Sequence, residues 1–350
     1  MKQSLIEFKT KLPNPRTTFN EASLLIYDNY FDNKQQHLKP IQSWIKKFPH
    51  RISFASGESL KDLKTFPEKI KLILEAVDRM AVKNVQIIGL GGGSIGDFTG
   101  FVASILKRGL PLVHIPTTWL SAIDSAHGGK TALNVAGFKN QIGTFYPADK
   151  IVLIKPILLQ QPESRSQEAF GEALKMALLT GGSLWQKFSK IKNFNNQVAW
   201  NFLPELIHGK YKIVKKDPYE KLGYRHLLNL GHTLGHAWEV TAQLPHGTAV
   251  AYGLRASLEI SRQKNIISSK TYKNLISTPA MQLLPTLSQL QQVTKKTKHV
   301  ETYLAKDKKI SQKKSLRFIF IKAPGKCPIE DIQIEQLTQF HKKLQLGQIS

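Results

Sequence analysis

One cysteine, Cys327, stands in 350 residues, which excludes an internal disulfide and fits a reducing compartment. No apolar run approaches the ~20 residues that cross a bilayer. Residues 1–8 lack the basic, apolar, small-residue layout of a leader peptide. The expectation is a cytoplasmic protein without a membrane partner. Acidic residues are scarce: 25 Asp plus Glu face 50 Lys plus Arg, a formal net charge of +25. Such a surplus suits nucleic acid, an acidic membrane surface or an anionic substrate. The basic clusters are broken by acids, apolar residues or prolines, and no recognition-helix, zinc-finger or aromatic RNA-binding motif accompanies them. An anionic small molecule is therefore the expected partner, and nucleic acid is not. There is no internal repeat or low-complexity tract. The length suits two domains or one large one, and 41 % apolar content argues for a folded globular protein.

The first half alternates strand and helix. Ser23–Tyr27, Val85–Gly89 and Pro111–Ile115 combine β-branched and apolar residues with turn signals behind them, and Lys69–Asp78 reads as a helix. Alternation of this kind predicts an α/β domain with a mainly parallel sheet. The run from Gly91 to Gly96 matches G-x-G-x-x-G between a strand and a predicted helix, Phe98 to Arg108. Glycines there let backbone amides approach a pyrophosphate at a helix start, so the domain reads as dinucleotide-binding. The acid expected ~20 residues further on to hold a ribose is missing, and Asp28, at the end of an earlier strand, is the candidate replacement. Thr117, Thr118, Asp124, Lys130, Lys139, Asn140 and Arg108 bring hydroxyls, an acid and cations that can hold phosphate, carboxylate or substrate hydroxyls.

The second half, from about Glu163, reads as mostly helical. His232 and His236, four apart, share one helix face, and Arg225 and Asn229 extend that register into one polar stripe. His246 follows ten residues later. Two histidines and one carboxylate form a recurrent catalytic zinc set with an open position, and Glu172, His232 and His246 complete it. Lys175 lies three residues after Glu172. His236 serves better as a base than as a fourth ligand, because a closed site would have no room for substrate.

The motifs from about residue 56 to 256, with a weaker match at Asp307-Lys308-Lys309, together resemble 3-dehydroquinate synthase: Gly-Gly-Gly-Ser-Ile-Gly-Asp, Pro-Thr-Thr-Trp-Leu, Asp-Ser-Ala-His-Gly-Gly-Lys-Thr, Gly-Glu-Ala-Leu-Lys, Leu-Asn-Leu-Gly-His-Thr-Leu-Gly-His and His-Gly-Thr-Ala-Val. The resemblance implies an NAD domain over 1–155, a mostly α-helical metal- and substrate-binding domain over 156–350, and a homodimer. It implies zinc, with cobalt as an alternative, on Glu172, His232 and His246. It implies NAD contacts from Asp28, Glu58, Lys61, Gly92, Gly93, Ser94, Gly96, Asp97, Thr117, Thr118, Lys130 and Lys139. The substrate pocket would use Arg108, Asp124, Lys130, Lys139, Asn140, Lys175, Lys210, Arg225, Asn229, His236 and Lys308. The implied reaction turns 3-deoxy-D-arabino-heptulosonate 7-phosphate into 3-dehydroquinate and phosphate, a step of the shikimate pathway.

Some positions depart from the pattern. His127 replaces a small apolar residue, and Lys155-Pro156 replaces an Asp-Thr pair. Thr248 stands where a glutamate commonly follows the third ligand, and one extra residue lies between Lys210 and Arg225. The loss at Thr248 predicts altered metal affinity. Rival readings are another sugar-phosphate cyclase, such as a 2-deoxy-scyllo-inosose or 2-epi-5-epi-valiolone synthase, a metal-dependent polyol dehydrogenase, and an inactive homologue or basic nucleic-acid-binding scaffold. Retention of Arg225 and Asn229 favours a carboxylated substrate.

Overall fold

The three apolar runs each become an inner strand of one sheet, because residues such as Leu24, Leu25, Ile26, Ile87, Ile88, Leu112 and Ile115 are shielded from solvent on both faces. In the computed structural model, which describes residues 3–80, 84–297, 300–306 and 315–349, the chain divides into two compact units, Met1–Arg165 and Ser166–Ser350. The strands of the first unit are β1 (Leu5–Lys9), β2 (Ser23–Asp28), β3 (His50–Phe54), β4 (Gln86–Gly91), β5 (Leu112–Pro116), β6 (Lys130–Val135), β7 (Phe138–Phe145) and β8 (Lys150–Ile154). Six of them form a sheet in the order β1-β8-β5-β4-β2-β3, with every pairing parallel. Its core gathers Leu25, Ile88, Val113, Val152 and Trp44, and Ile157 of the short helix after β8 belongs to it.

Successive strands leave β2 on opposite sides, β3 one way and β4 then β5 the other. A crevice in such a sheet opens at the carboxyl ends of the strands beside that reversal. Asp28, Gly91 and Pro116 end β2, β4 and β5, so the topology itself gathers the glycine loop, Asp28 and Thr117 at one rim. Two helices matter here, α1 (Phe66–Arg79) and α2 (Gly93–Ile105). The second starts earlier than its apolar pattern implied and gives way to a 3-10 turn at Leu106–Arg108. The remaining strands, β6 and β7, form a separate antiparallel ribbon.

In the second unit α3 (Glu163–Thr180), α4 (Asn196–Lys216), α5 (His232–Thr241) and α6 (His246–Gln263) surround the residues of interest. A second core packs Leu234, Trp238, Ile260, Phe318, Phe320 and Phe340. The single polar stripe expected from Arg225 to His236 is not one helix. Arg225 and Asn229 sit on a 3-10 turn, Tyr224–Asn229, and Gly231, at φ 80°, ends that turn before α5 begins. Gly231 takes this left-handed conformation where its carbonyl meets α6, and a Cβ on Gly253 would lie 1.7 Å from the Gly231 oxygen. A methyl group at 253 must push α5 and α6 apart. Gly253→Ala is expected to cost about 3 kcal/mol through overpacking, lowering the melting temperature by roughly 6–12 °C. An unchanged thermal unfolding curve would contradict the close approach.

Candidate functional site

At the sheet rim, Gly92 caps α2 without a side chain, leaving the first amides of the helix directed at the loop. Thr118 packs beside Gly92, and Ser125 beside Gly93. Thr117 is buried. Asp28 spends one carboxylate oxygen on the Tyr30 N–H at 3.0 Å. Ser94 Oγ accepts the Gly57 N–H at 2.9 Å. Lys61, 4 % exposed, donates to both Asp97 Oδ2 and Asn140 Oδ1 at 2.6 Å. Burial raises the Asp97 carboxyl above its ordinary range even with that ammonium beside it. Glu58 Oε2 accepts from Asn134 Nδ2 at 2.6 Å. Asp124 lies in the π-helical turn Ser121–Ser125, and Lys130 opens β6. A water-sized cavity of about 10 Å³ touches Gly93, Gly96, Asp97, Ser125, Lys130 and His114. Its His114 went unnoticed in the sequence, where the only signal was one polar residue inside an apolar strand. Lys139 and Arg108 are exposed, and Arg108 takes a left-handed φ of 65°. His127 is buried and donates Nε2–H to the Ala122 carbonyl at 2.9 Å.

In the helical unit, Glu172 and Lys175 are not a solvated pair. Both are 1 % exposed and ion-paired to each other on α3. Glu172 Oε1 also meets His232 Nε2 at 3.2 Å and His246 Nε2 at 3.4 Å. Burial pushes the Glu172 carboxyl upward, but Lys175 and then His232 outweigh it and hold the group well below the usual carboxylate range. His232, His236 and His246 each offer a ring nitrogen within 4.8 Å of the others. His246 is the first residue of α6 rather than a loop residue.

The hydrogen-bond inventory of this cluster fits a divalent cation. The His232 ring faces two acceptors, the Leu230 carbonyl at 3.1 Å from Nδ1 and Glu172 Oε1 at Nε2. A neutral imidazole has one N–H for them, so one contact sets lone pair against lone pair until a cation resolves it. His246 also faces two acceptors, Glu172 Oε1 at Nε2 and Glu239 Oε2 at 2.8 Å from Nδ1, and as an imidazolium it donates to both. Glu239, seven residues after His232 on the same helix, was missed in the sequence reading. It gives His246 a carboxylate partner, so the acid absent at Thr248 does not leave that ring without one. Burial lowers His246, but hydrogen bonds to Glu172 and Glu239 outweigh it and raise the ring to about 10.

Lys210 and Arg225 are each 4 % exposed. Asp217 accepts backbone N–H groups from Lys221, Leu222 and Arg225 at 2.8, 3.0 and 3.0 Å, and Arg225 Nη1 donates to the Pro218 carbonyl at 2.9 Å. In this loop Glu220 takes φ 56°. Asn229 side-chain nitrogen lies 3.2 Å from His226 Nδ1. Lys308 lies outside the described residues.

A parallel-sheet unit followed by a helical unit is the architecture of 2-deoxy-scyllo-inosose synthase, solved with carbaglucose-6-phosphate, NAD+ and Co2+. The likeness has a TM-score of 0.77 at 21 % identity and covers 99 % of both chains. That likeness defines the fold class. Residues 51–168 match the 3-dehydroquinate synthase N-terminal family and 169–310 the 3-dehydroquinate synthase C-terminal family, and the chain belongs to this family. It is 33 % identical over 353 residues to the 3-dehydroquinate synthase of Leptospira interrogans serovar copenhageni, covering 97 % of this chain and 92 % of that protein. It is 34 % identical over 290 residues to the bifunctional shikimate kinase/3-dehydroquinate synthase of Thermotoga maritima, spanning 82 % of this chain but only 57 % of that protein.

With the His246 ring raised to about 10, zinc binding at pH 8 is expected to release about one proton per chain from this ring. Calorimetry in buffers of different ionisation enthalpy counts it. Glu239→Gln should weaken zinc about 10–100-fold. Unchanged affinity together with zero proton release would refute both roles.

Proposed function

We propose that this chain converts 3-deoxy-D-arabino-heptulosonate 7-phosphate to 3-dehydroquinate and phosphate, as a cytoplasmic homodimer using NAD and a divalent metal. The observation that carries the proposal is the convergence of Glu172, His232 and His246 through one carboxylate oxygen and two Nε2 atoms, in a chain that also bears the glycine-started helix α2. Family membership supports the substrate. The cofactors named for the fold relative, NAD+ and Co2+, support the cofactor pair.

Glu172, His232 and His246 hold the metal, which supplies Lewis acidity for a substrate hydroxyl. Gly92, Gly93, Ser94, Gly96, Asp97, Thr117 and Thr118 would hold NAD, which would supply a hydride acceptor. Loss of solvent around the ring, then the neighbouring His232 and His246, lower His236 below its ordinary value. The ring is therefore neutral at pH 7, and an imidazole nitrogen takes the hydroxyl proton. The ammonium of Lys175 steadies the Glu172 charge. Arg225 is pre-oriented by Asp217 and Pro218 and, with Asn229, Lys210 and Lys308, takes the substrate carboxylate. Lys130, Lys139 and Arg108 neutralise its phosphate, and Asp124 and Asn140 orient its hydroxyls. A doubly anionic substrate explains why cations dominate these positions.

The test follows phosphate release and NADH absorbance together, with zinc and NAD present. Stoichiometric phosphate and dehydroquinate without accumulated NADH is the expected result. His236→Ala should keep its metal and lose about 10²–10⁴-fold in rate. Net NADH formation would instead indicate a polyol dehydrogenase, and no phosphate release would redirect attention to sugar phosphates lacking the carboxylate.

A further inference from the structure

Lys61 is among the residues that the family resemblance puts at NAD, and its ammonium is buried between two partners. Two of its three N–H bonds are committed at 2.6 Å, one to Asp97 Oδ2 on α2 and one to Asn140 Oδ1 on β7. These partners are 36 and 79 residues away in sequence, and the Lys61 side chain is 5 % exposed. Asn140 sits in a strand at φ 55°, a conformation that costs a non-glycine residue strain and persists only where its surroundings dictate it. Those surroundings are visible: the Asn140 N–H donates to Asn134 Oδ1 at 2.9 Å, and Asn134 Nδ2 donates to Glu58 Oε2 at 2.6 Å. Glu58 and Lys61 are the two ends of one 3-10 turn. Its preceding residue, Gly57, is tied to Ser94 Oγ at the start of α2.

We propose that the turn Glu58–Lys61 is a clasp, with Lys61 a positioning residue that fixes Asn140 relative to Asp97. The inference rests on the function proposed above, in which Asp97 meets the cofactor and Asn140 the substrate. One buried ammonium then sets the spacing between the group that holds the hydride acceptor and a group that orients the hydroxyl-bearing carbons. Asn134 completes the clasp from the ribbon side.

The experiment is a double-mutant cycle on the full chain, loaded with zinc and assayed at saturating NAD so that lost cofactor affinity is masked. Lys61→Met and Asn140→Ala should each lower kcat/KM about 100-fold, the scale of a misplacement near 1 Å. The double variant should also stay near 100-fold down rather than falling about 10⁴-fold, because both changes break one unit. Multiplying effects would overturn the clasp and leave Lys61 as an independent contact. If Lys61→Met does not fold, Lys61→Gln combined with Asn140→Ala reads the same coupling, with multiplication again the contrary result. If the wild-type chain releases no phosphate, the proposed function fails separately. The clasp is then read in NAD binding by Lys61→Met with Asp97→Asn: a double variant no weaker than the worse single supports it, and multiplying losses refute it.

Discussion

A carboxylate sealed from water governs the helical unit. Glu172 is 1 % exposed, and an ion removed from water carries a penalty on the order of several kcal/mol unless opposite charge meets it. Lys175 supplies part of that charge from the next turn of the same helix. The remainder of the unit is shaped to bring two imidazoles to the other oxygen. Gly171, beside Glu172, lets α3 approach α6 so closely that a Cβ there would lie 2.3 Å from the Gly247 carbonyl, beside His246. Gly231 and Gly253 do the same for α5 and α6 next to His232. Backbone contact at these glycines holds the helices that bear Glu172, His232 and His246 at short range.

The sheet unit solves a different problem by similar means. Its parallel order delivers strand ends, not side chains, to the rim, so the chemistry there depends on turns and on the first turn of α2. Polar side chains in turns are mobile unless tied, and here they are tied to one another: Gly57 to Ser94, Lys61 to Asp97 and Asn140, Glu58 to Asn134. The sheet unit thus carries a hydrogen-bonded rim, and the helical unit a cluster built on buried charge.

Much of this was legible in the sequence, for reasons that can be named. The inner strands β2, β4 and β5 are apolar because both of their faces are buried, and the spacing of His232 and His236 places them on one side of α5 whatever precedes it. The ribbon β6–β7 was not foreseen, because its two-residue loop is Ala136-Gly137. Both residues take positive φ, 50° and 80°, a geometry usually announced by Asn-Gly. The stripe from Arg225 to His236 was extended one turn too far, since Gly231 takes a left-handed φ of 80° between the 3-10 turn and α5. Glu239 escaped notice because its partner His246 lies across a turn, and only the fold shows that the two side chains meet.

The central claim is that Glu172 organises a cation site with His232 and His246. Its most direct test is the visible absorption spectrum of cobalt titrated into metal-free protein. One equivalent per chain should bind with the intense bands of a four- or five-coordinate ion, and Glu172→Ala should abolish that spectrum while Glu239→Gln only weakens the binding. A wild-type chain that takes up no cobalt, or a Glu172→Ala variant that binds it with the same spectrum and affinity, would contradict the account.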